Sequence, residues 1–225
     1  PNCAQTIQSV ATTLVSFIQA TSFQEQFEKD KRLADLPLCV LPPIWLQKDS
    51  LVCSNNFDNE ARLGCDLYPL SQLKTPLSFT HMIVFAEQGK ANVNNGVMFL
   101  DQSDAYSVFV HELAHFAGFV DEYALPDDLA NYHCSKNIAP NLLLSPLPQE
   151  VVKSRYLPAS RENNWQRALD AHNELQILES NNPVLHHIAR SRTCRNTQYE
   201  SFKPTQQMTF LEYHDVPNIP KVYRT

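Results

Sequence analysis

The stretch HELAHFAGFVDEY, from His111 to Tyr123, contains the side chains of this chain that are best suited to chemistry. His111 and His115 are one helical turn apart, so on a helix both imidazoles project from the same face and can bind one metal ion. Glu112 lies beside them and does not need to bind the metal. It can act as the general base that takes a proton from a zinc-activated water. The pattern therefore predicts a zinc site with Glu112 as its catalytic residue.

Two histidines leave a tetrahedral zinc site without its third protein ligand. Gly118 indicates where that ligand lies, because a glycine that reverses the chain after a helix lets later residues fold back towards the metal. Asp121 and Glu122 are the carboxylates placed to do so. The spacing alone leaves both of them open as the third ligand.

Hydrophobic periodicity predicts the elements that position these residues. A stripe of apolar side chains at helical spacing predicts a helix that is capped by Asp101 or Ser103 and ends at Gly118. Two apolar runs precede it, HMIVFA from His81 and GVMFL from Gly96, and we expect them to be paired or neighbouring strands. The helical stripe consists of Tyr106, Val110, Leu113 and Ala117.

The rest of the chain gives weaker indications of secondary structure. Apolar side chains at helical spacing predict one or two helices within the first 35 residues, starting near Thr6. The run LCVLPPIWL, which contains two prolines, is expected to be an edge strand or an extended segment. Residues 124–165 are rich in proline and polar residues and predict irregular surface, with a short helix near 149–156. A further helix is predicted over 162–179.

Composition limits the class of protein. A chain of 225 residues with 43% hydrophobic content can bury a substantial core as a single domain over 1–225. Its net charge of -6, without any run of lysine or arginine, argues against nucleic acid or an anionic membrane as the main partner. The apolar pattern VATTLVSFI near the start is too short to span a bilayer. We expect a monomer.

Six cysteines are dispersed along the chain without any C-x-x-C pair, which favours disulfides over a zinc ribbon or a redox motif. Cys53 and Cys65 are the expected local pair, and the alternative is that the cysteines are buried free thiols in a cytosolic protein. Three disulfides would indicate a secreted or periplasmic protein. The chain begins at Pro1 without a signal peptide, so we interpret it as a mature form. The lack of an N-x-S/T sequon favours a bacterial origin.

The pattern H-E-x-x-H-x-x-G-x-x-D resembles the zinc helix of the metzincin endopeptidases, in a version in which aspartate replaces the third histidine. The resemblance implies that His111, His115 and Asp121 bind zinc, so that Asp121 and not Glu122 is the third ligand. Asp121-Glu122-Tyr123 is similar to the D-E-Y that follows the zinc helix in the IgA-peptidase-like metallopeptidases, a secreted bacterial group. For Glu122 and Tyr123 we expect either support of the turn, or a solvated acid and a packed ring.

Metzincins also carry a methionine turn, whose side chain forms a floor under the metal. The resemblance implies that this turn lies within residues 195–213 and contains Met208, the only methionine downstream of the third ligand. The preceding residues FKPTQQ are similar to the segment that leads into the turn in the IgA-peptidase-like group. Several metzincins place a tyrosine two residues after the methionine, where it can bind the metal or the transition state. This chain has Phe210 there, and Tyr213 is the candidate replacement; the alternative for Tyr213 is a packed aromatic.

The resemblance implies an α+β, metzincin or zincin-like fold, in which a twisted mixed sheet packs on the zinc-binding helix over residues 78–123 and disulfides support the loops. An extended peptide substrate would add to the edge strand of the sheet. The expected function is that of a secreted zinc endopeptidase that acts on a protein or peptide substrate. A closed structural zinc site normally has four protein ligands, whereas this site offers three ligands and a general base. The alternatives are a non-catalytic zinc-containing domain that binds a partner or a polysaccharide, and a zinc amidase that acts on cell-wall peptides.

Overall fold

The computed structural model describes residues 3–47, 50–57, 62–72, 79–136, 139–145 and 189–224. The helices predicted over 149–156 and 162–179 lie outside these ranges. The chain divides into two compact units, residues 1–116 and residues 117–223, which are described in turn. The single domain expected over 1–225 stays a prediction.

A five-stranded mixed sheet organises the first unit. The elements of this unit are, in chain order, β1 (Gln5–Ala11), α1 (Leu14–Lys29), β2 (Leu38–Trp45), β3 (Cys53–Ser54), β4 (Gly64–Cys65), α2 (Tyr68–Ser71), β5 (His81–Phe85), β6 (Asn92–Asn94), β7 (Val97–Leu100) and α3 (Tyr106–Phe116). The strand order is β2-β1-β5-β7-β6. The strands β2, β1, β5 and β7 are parallel to one another, and β6 is antiparallel to β7. The expected α+β class with a mixed sheet is therefore confirmed.

The helix predicted within the first 35 residues is confirmed as α1, but the prediction that it starts near Thr6 is wrong. Residues 5–11 form β1, an inner strand whose last five residues are all buried. A parallel strand that is covered on both faces has no alternation of apolar and polar residues, so its pattern can be mistaken for that of a helix. The helix begins only at Leu14, where the hydroxyl of Thr13 caps it by accepting a hydrogen bond from the Ser16 amide.

The other predicted strands of this unit are confirmed. The run LCVLPPIWL forms β2 at an edge of the sheet, and its pairing with β1 shifts register between Gln8 and Val10, opposite its prolines. The runs HMIVFA and GVMFL form β5 and β7, which pair in parallel. Between them β6 forms a hairpin with β7 through Asn95 and Gly96, both of which have positive φ. The Asn-Gly sequence is a signal for this turn.

Aromatic packing anchors α3 in the first unit. The ring of Phe23 on α1 lies 5.6 to 5.7 Å, between centroids, from the rings of Phe85 on β5 and of Tyr106 and Phe109 on α3. Phe109 is fully buried. Because α1, the sheet and α3 share this cluster, the helix that carries both histidines is fixed against the sheet.

The second unit contains α4 (Asp127–Lys136), β8 (Leu143–Ser145), β9 (Ala189–Ser191), β10 (Glu200–Lys203) and a short 3-10 turn at Lys221–Tyr223. The strands form an antiparallel sheet in the order β8-β10-β9. The prediction of irregular surface over 124–165 is wrong at α4 and at β8, a strand whose Leu143 and Leu144 are buried. Only Ala130 and Cys134 of this helix are buried, so its apolar stripe is too narrow to be visible in the sequence.

All six cysteines form disulfides, as predicted. The bridges are Cys3–Cys39, Cys53–Cys65 and Cys134–Cys194. They confirm the expected local pair, and they are compatible with an extracellular or periplasmic protein. Within the described ranges, every helix is too short or too polar to cross a lipid bilayer.

Candidate metal centre

Helix α3 carries both histidines and Glu112 at buried or half-buried positions. His111 and Glu112 are buried together with Phe109, Val110 and Leu113, and His115 is half-buried one turn later. The imidazole centroids of His111 and His115 are 5.1 Å apart. The predicted helix is thus confirmed, and its last turn carries the second histidine. The predicted cap is wrong, because the helix begins at Tyr106 and neither Asp101 nor Ser103 directly precedes it.

The chain reverses directly after this helix, as Gly118 indicated. Gly118 has a φ of +80°, a value that side chains with a Cβ rarely adopt, and a Cβ at this position would meet only the Pro140 Cδ at 3.8 Å. The glycine is therefore required by backbone conformation and not by a lack of space.

The segment 111–121 brings three possible ligand side chains together. His111, His115 and Asp121 each offer one ligand atom, and these three atoms lie within 4.8 Å of one another. Such a group could hold a metal ion. A tetrahedral zinc ion with bonds of about 2.1 Å needs donor atoms about 3.4 Å apart, so small side-chain rotations would close the group around it. Imidazole and carboxylate donors are also used by other divalent metals.

Glu112 lies next to this group and has no need to be one of its ligands. Its side chain is 8% exposed, and its Oε2 atom is 3.8 Å from the Nε2 atom of His115. A carboxylate beside a metal-binding group can act as a general base towards a water bound there.

The carboxylate of Glu122 belongs to a different set of contacts. It is fully buried, and it accepts hydrogen bonds from the Tyr223 hydroxyl at 2.7 Å, the Asn141 amide at 3.0 Å and the Thr209 hydroxyl at 2.5 Å. Glu122 therefore supports the turn, and the alternative of a solvated acid is wrong. Burial raises the pKa of the Glu122 carboxyl above its ordinary value, although these hydrogen bonds and the charge of Lys203 oppose the rise.

Sequence spacing could not have revealed the partners of Glu122. Asn141, Thr209 and Tyr223 are 19, 87 and 101 positions away from it along the chain. Burial raises the pKa of the Tyr223 hydroxyl, and the negative charge of Glu122 adds to this rise. Tyr223 therefore remains a neutral hydrogen-bond donor at neutral pH.

Comparisons of this chain with protein-family models, with curated proteins and with solved structures find no match. The resemblance to metzincins thus depends on the motif residues themselves.

Met208 and Tyr213, the two residues assigned by resemblance to the methionine turn and to transition-state binding, lie on a loop of the second unit. The two residues are 62% and 54% exposed. Lys203 holds this loop through an ion pair with Glu212 and a 2.8 Å bond to the Gln207 carbonyl. The roles of Met208 and Tyr213 beside a metal stay predictions.

Proposed function

We propose that this protein is a secreted zinc endopeptidase, in which His111, His115 and Asp121 bind zinc and Glu112 is the general base. The observation that carries the proposal is the convergence of two imidazoles and one carboxylate beside a buried glutamate. Within the part of the chain that the structure describes, this group offers three ligands, whereas a closed structural zinc site normally has four. Three ligands with an adjacent base are typical of catalytic sites.

A bound zinc ion would supply Lewis acidity, which lowers the pKa of a water molecule and polarises the scissile carbonyl. Glu112 would take the proton of that water and deliver it to the leaving amine. Because Glu112 is buried, bulk water has little access to its carboxylate, and the proton stays available for the second transfer. His111 and His115 orient the centre from successive turns of α3.

A metzincin-type fold is part of this proposal, and the sheet supports it. Strand β6 pairs only with β7 among the described strands, and it contacts the helix α3 that carries the histidines. An extended peptide could pair with β6 by strand addition, since this edge presents backbone groups for hydrogen bonding. The three disulfides support secretion.

The test compares the zinc-loaded protein with its Glu112→Gln and Glu112→Ala variants, purified in parallel, on unfolded casein and on a cell-wall preparation. The glutamine variant keeps the shape of the side chain and all three proposed ligands, so we expect its zinc content to equal that of the parent. Loss of a general base lowers the rate by about 100- to 10,000-fold. Casein cleavage by the parent at a rate that falls by this factor in both variants supports the endopeptidase.

Other results favour the alternatives. Cleavage of the cell-wall preparation alone, dependent on Glu112, would identify an amidase that acts on cell-wall peptides. Equal behaviour of the parent and both variants on every substrate, with zinc bound, would favour a non-catalytic binding domain. A parent that retains no zinc after reconstitution and dialysis would overturn the proposal as a whole.

A further inference from the structure

We infer that Glu122 is a positioning residue for Asp121: its buried carboxylate fixes the turn at residues 120–122 and so holds Asp121 ready to bind the metal. The inference rests on the proposed zinc centre and extends the support of the turn by Glu122 to the metal affinity of Asp121. Glu122 itself contacts neither metal nor substrate in this assignment.

The side chain of Glu122 is restrained from three directions. The Oε1 atom accepts hydrogen bonds from Tyr223 and Asn141, and the Oε2 atom accepts one from Thr209. A fully buried carboxylate is costly unless its oxygens are hydrogen-bonded, so moving it away from these donors would leave several buried polar groups without partners. The carboxylate is thereby confined to one position.

The backbone of Glu122 is restrained as well. Its amide donates to the Leu211 carbonyl at 3.0 Å, and its carbonyl accepts from the Arg192 amide at 3.2 Å and from the Ser191 hydroxyl at 3.1 Å. The bond to Leu211 therefore fixes the peptide that follows Asp121, and the bonds from residues 191–192 fix the peptide that follows Glu122.

The peptide that precedes Asp121 is held by the same network. The Asn141 side chain accepts from the Val120 amide at 3.0 Å and donates to the Val120 carbonyl at 2.8 Å, and it also donates to Glu122. The carbonyl of Asp121 accepts from the Thr193 hydroxyl at 2.7 Å. With both flanking peptides fixed, Asp121 keeps only its two side-chain torsions, so little conformational entropy is lost when its carboxylate binds a metal.

The experiment measures the dissociation constant for Zn²⁺ by competition with a chromophoric chelator, with the whole protein and its disulfides intact. We expect Glu122→Ala to weaken zinc binding by about 10- to 100-fold, as is usual when the partners that orient a ligand are removed. The control is Leu144→Ala, which destabilises the buried core of the same unit and should leave the affinity unchanged. Circular dichroism establishes the temperature at which each variant is folded, and all titrations are made below it.

A second background separates positioning from general damage. If Glu122 acts through Asp121, then Glu122→Ala has no further effect on zinc affinity once Asp121→Ala has removed the ligand. Should Glu122→Ala fail to fold, Tyr223→Phe and Thr209→Val each remove one donor to the carboxylate. Each of these is expected to weaken zinc binding in the parent and to have no effect in the Asp121→Ala background.

The outcomes distinguish this inference from the proposed function. Unchanged zinc affinity in all variants of the network, in a parent that binds zinc through Asp121, overturns the inference alone. An equal loss of affinity with and without Asp121, or an equal loss in Leu144→Ala, also overturns it, because the effect would then be general destabilisation. A parent that binds no zinc overturns both.

Discussion

Asn141 provides the sharpest stability test of the turn at residues 120–122, because one buried amide makes all of its contacts there. Asn141 is 2% exposed. Its side chain forms three hydrogen bonds, two to the Val120 backbone and one to the Glu122 carboxylate. A neutral hydrogen bond contributes about 1 kcal/mol, and one to a charged group about 1.5–3 kcal/mol. We expect Asn141→Ala to lower the free energy of unfolding by about 4 kcal/mol, since the remaining partners stay buried.

Urea unfolding followed by circular dichroism measures this loss, with the midpoint and the slope fitted separately so that a change in cooperativity is detected. Asn218→Ala is the matched control: it removes the same side chain from an exposed site with one 3.2 Å bond to Gln207. Its effect should stay within about 0.5 kcal/mol, as for most surface changes. A loss of less than about 1 kcal/mol in Asn141→Ala, or one equal to that of the control, would refute the reasoning that these bonds hold the turn.

Two further predictions concern the pH dependence and the disulfides. Hydrogen bonds from Arg32 lower the pKa of Asp30, so the stability they contribute is present above the unfolded pKa near 3.8 and is lost as pH falls through the lower folded value. Arg32→Ala should therefore destabilise the protein by about 1–3 kcal/mol at pH 7 and by much less at pH 2. The control is Lys29→Ala, which removes an exposed ion pair with Glu25 and should have little effect at either pH. A pH-independent loss in Arg32→Ala would contradict this assignment. The Cys134–Cys194 bridge closes a loop of 60 residues, so replacing both cysteines by serine should lower the free energy of unfolding by about 4 kcal/mol, measured in urea. An unchanged free energy of unfolding would contradict this prediction.

Local features of the chain could be predicted from the sequence because they depend on neighbouring residues. The helix with His111 and His115, its end at Gly118 and the Cys53–Cys65 bridge each follow from spacings of a few residues. Strand β1 could not be predicted in this way, because its buried apolar residues are explained only by the strands on both sides of it. The pattern of an inner parallel strand depends on contacts that are distant in the sequence.

The difference between local and distant contacts also explains how much of the candidate site could be predicted from the motif. The pattern of Asp121 and Glu122 is local, and by itself it leaves both carboxylates open as a ligand. What separates them is burial: Glu122 is enclosed by donors from distant parts of the chain, so its oxygens are already engaged, whereas the ligand atom of Asp121 lies within 4.8 Å of those of both histidines. Two adjacent residues of one chemical class thus lie in different surroundings, because Glu122 is fully buried among donors and Asp121 is only partly buried beside the histidines. A ligand set can be read from spacing, but the groups that hold a ligand in place are decided by tertiary structure.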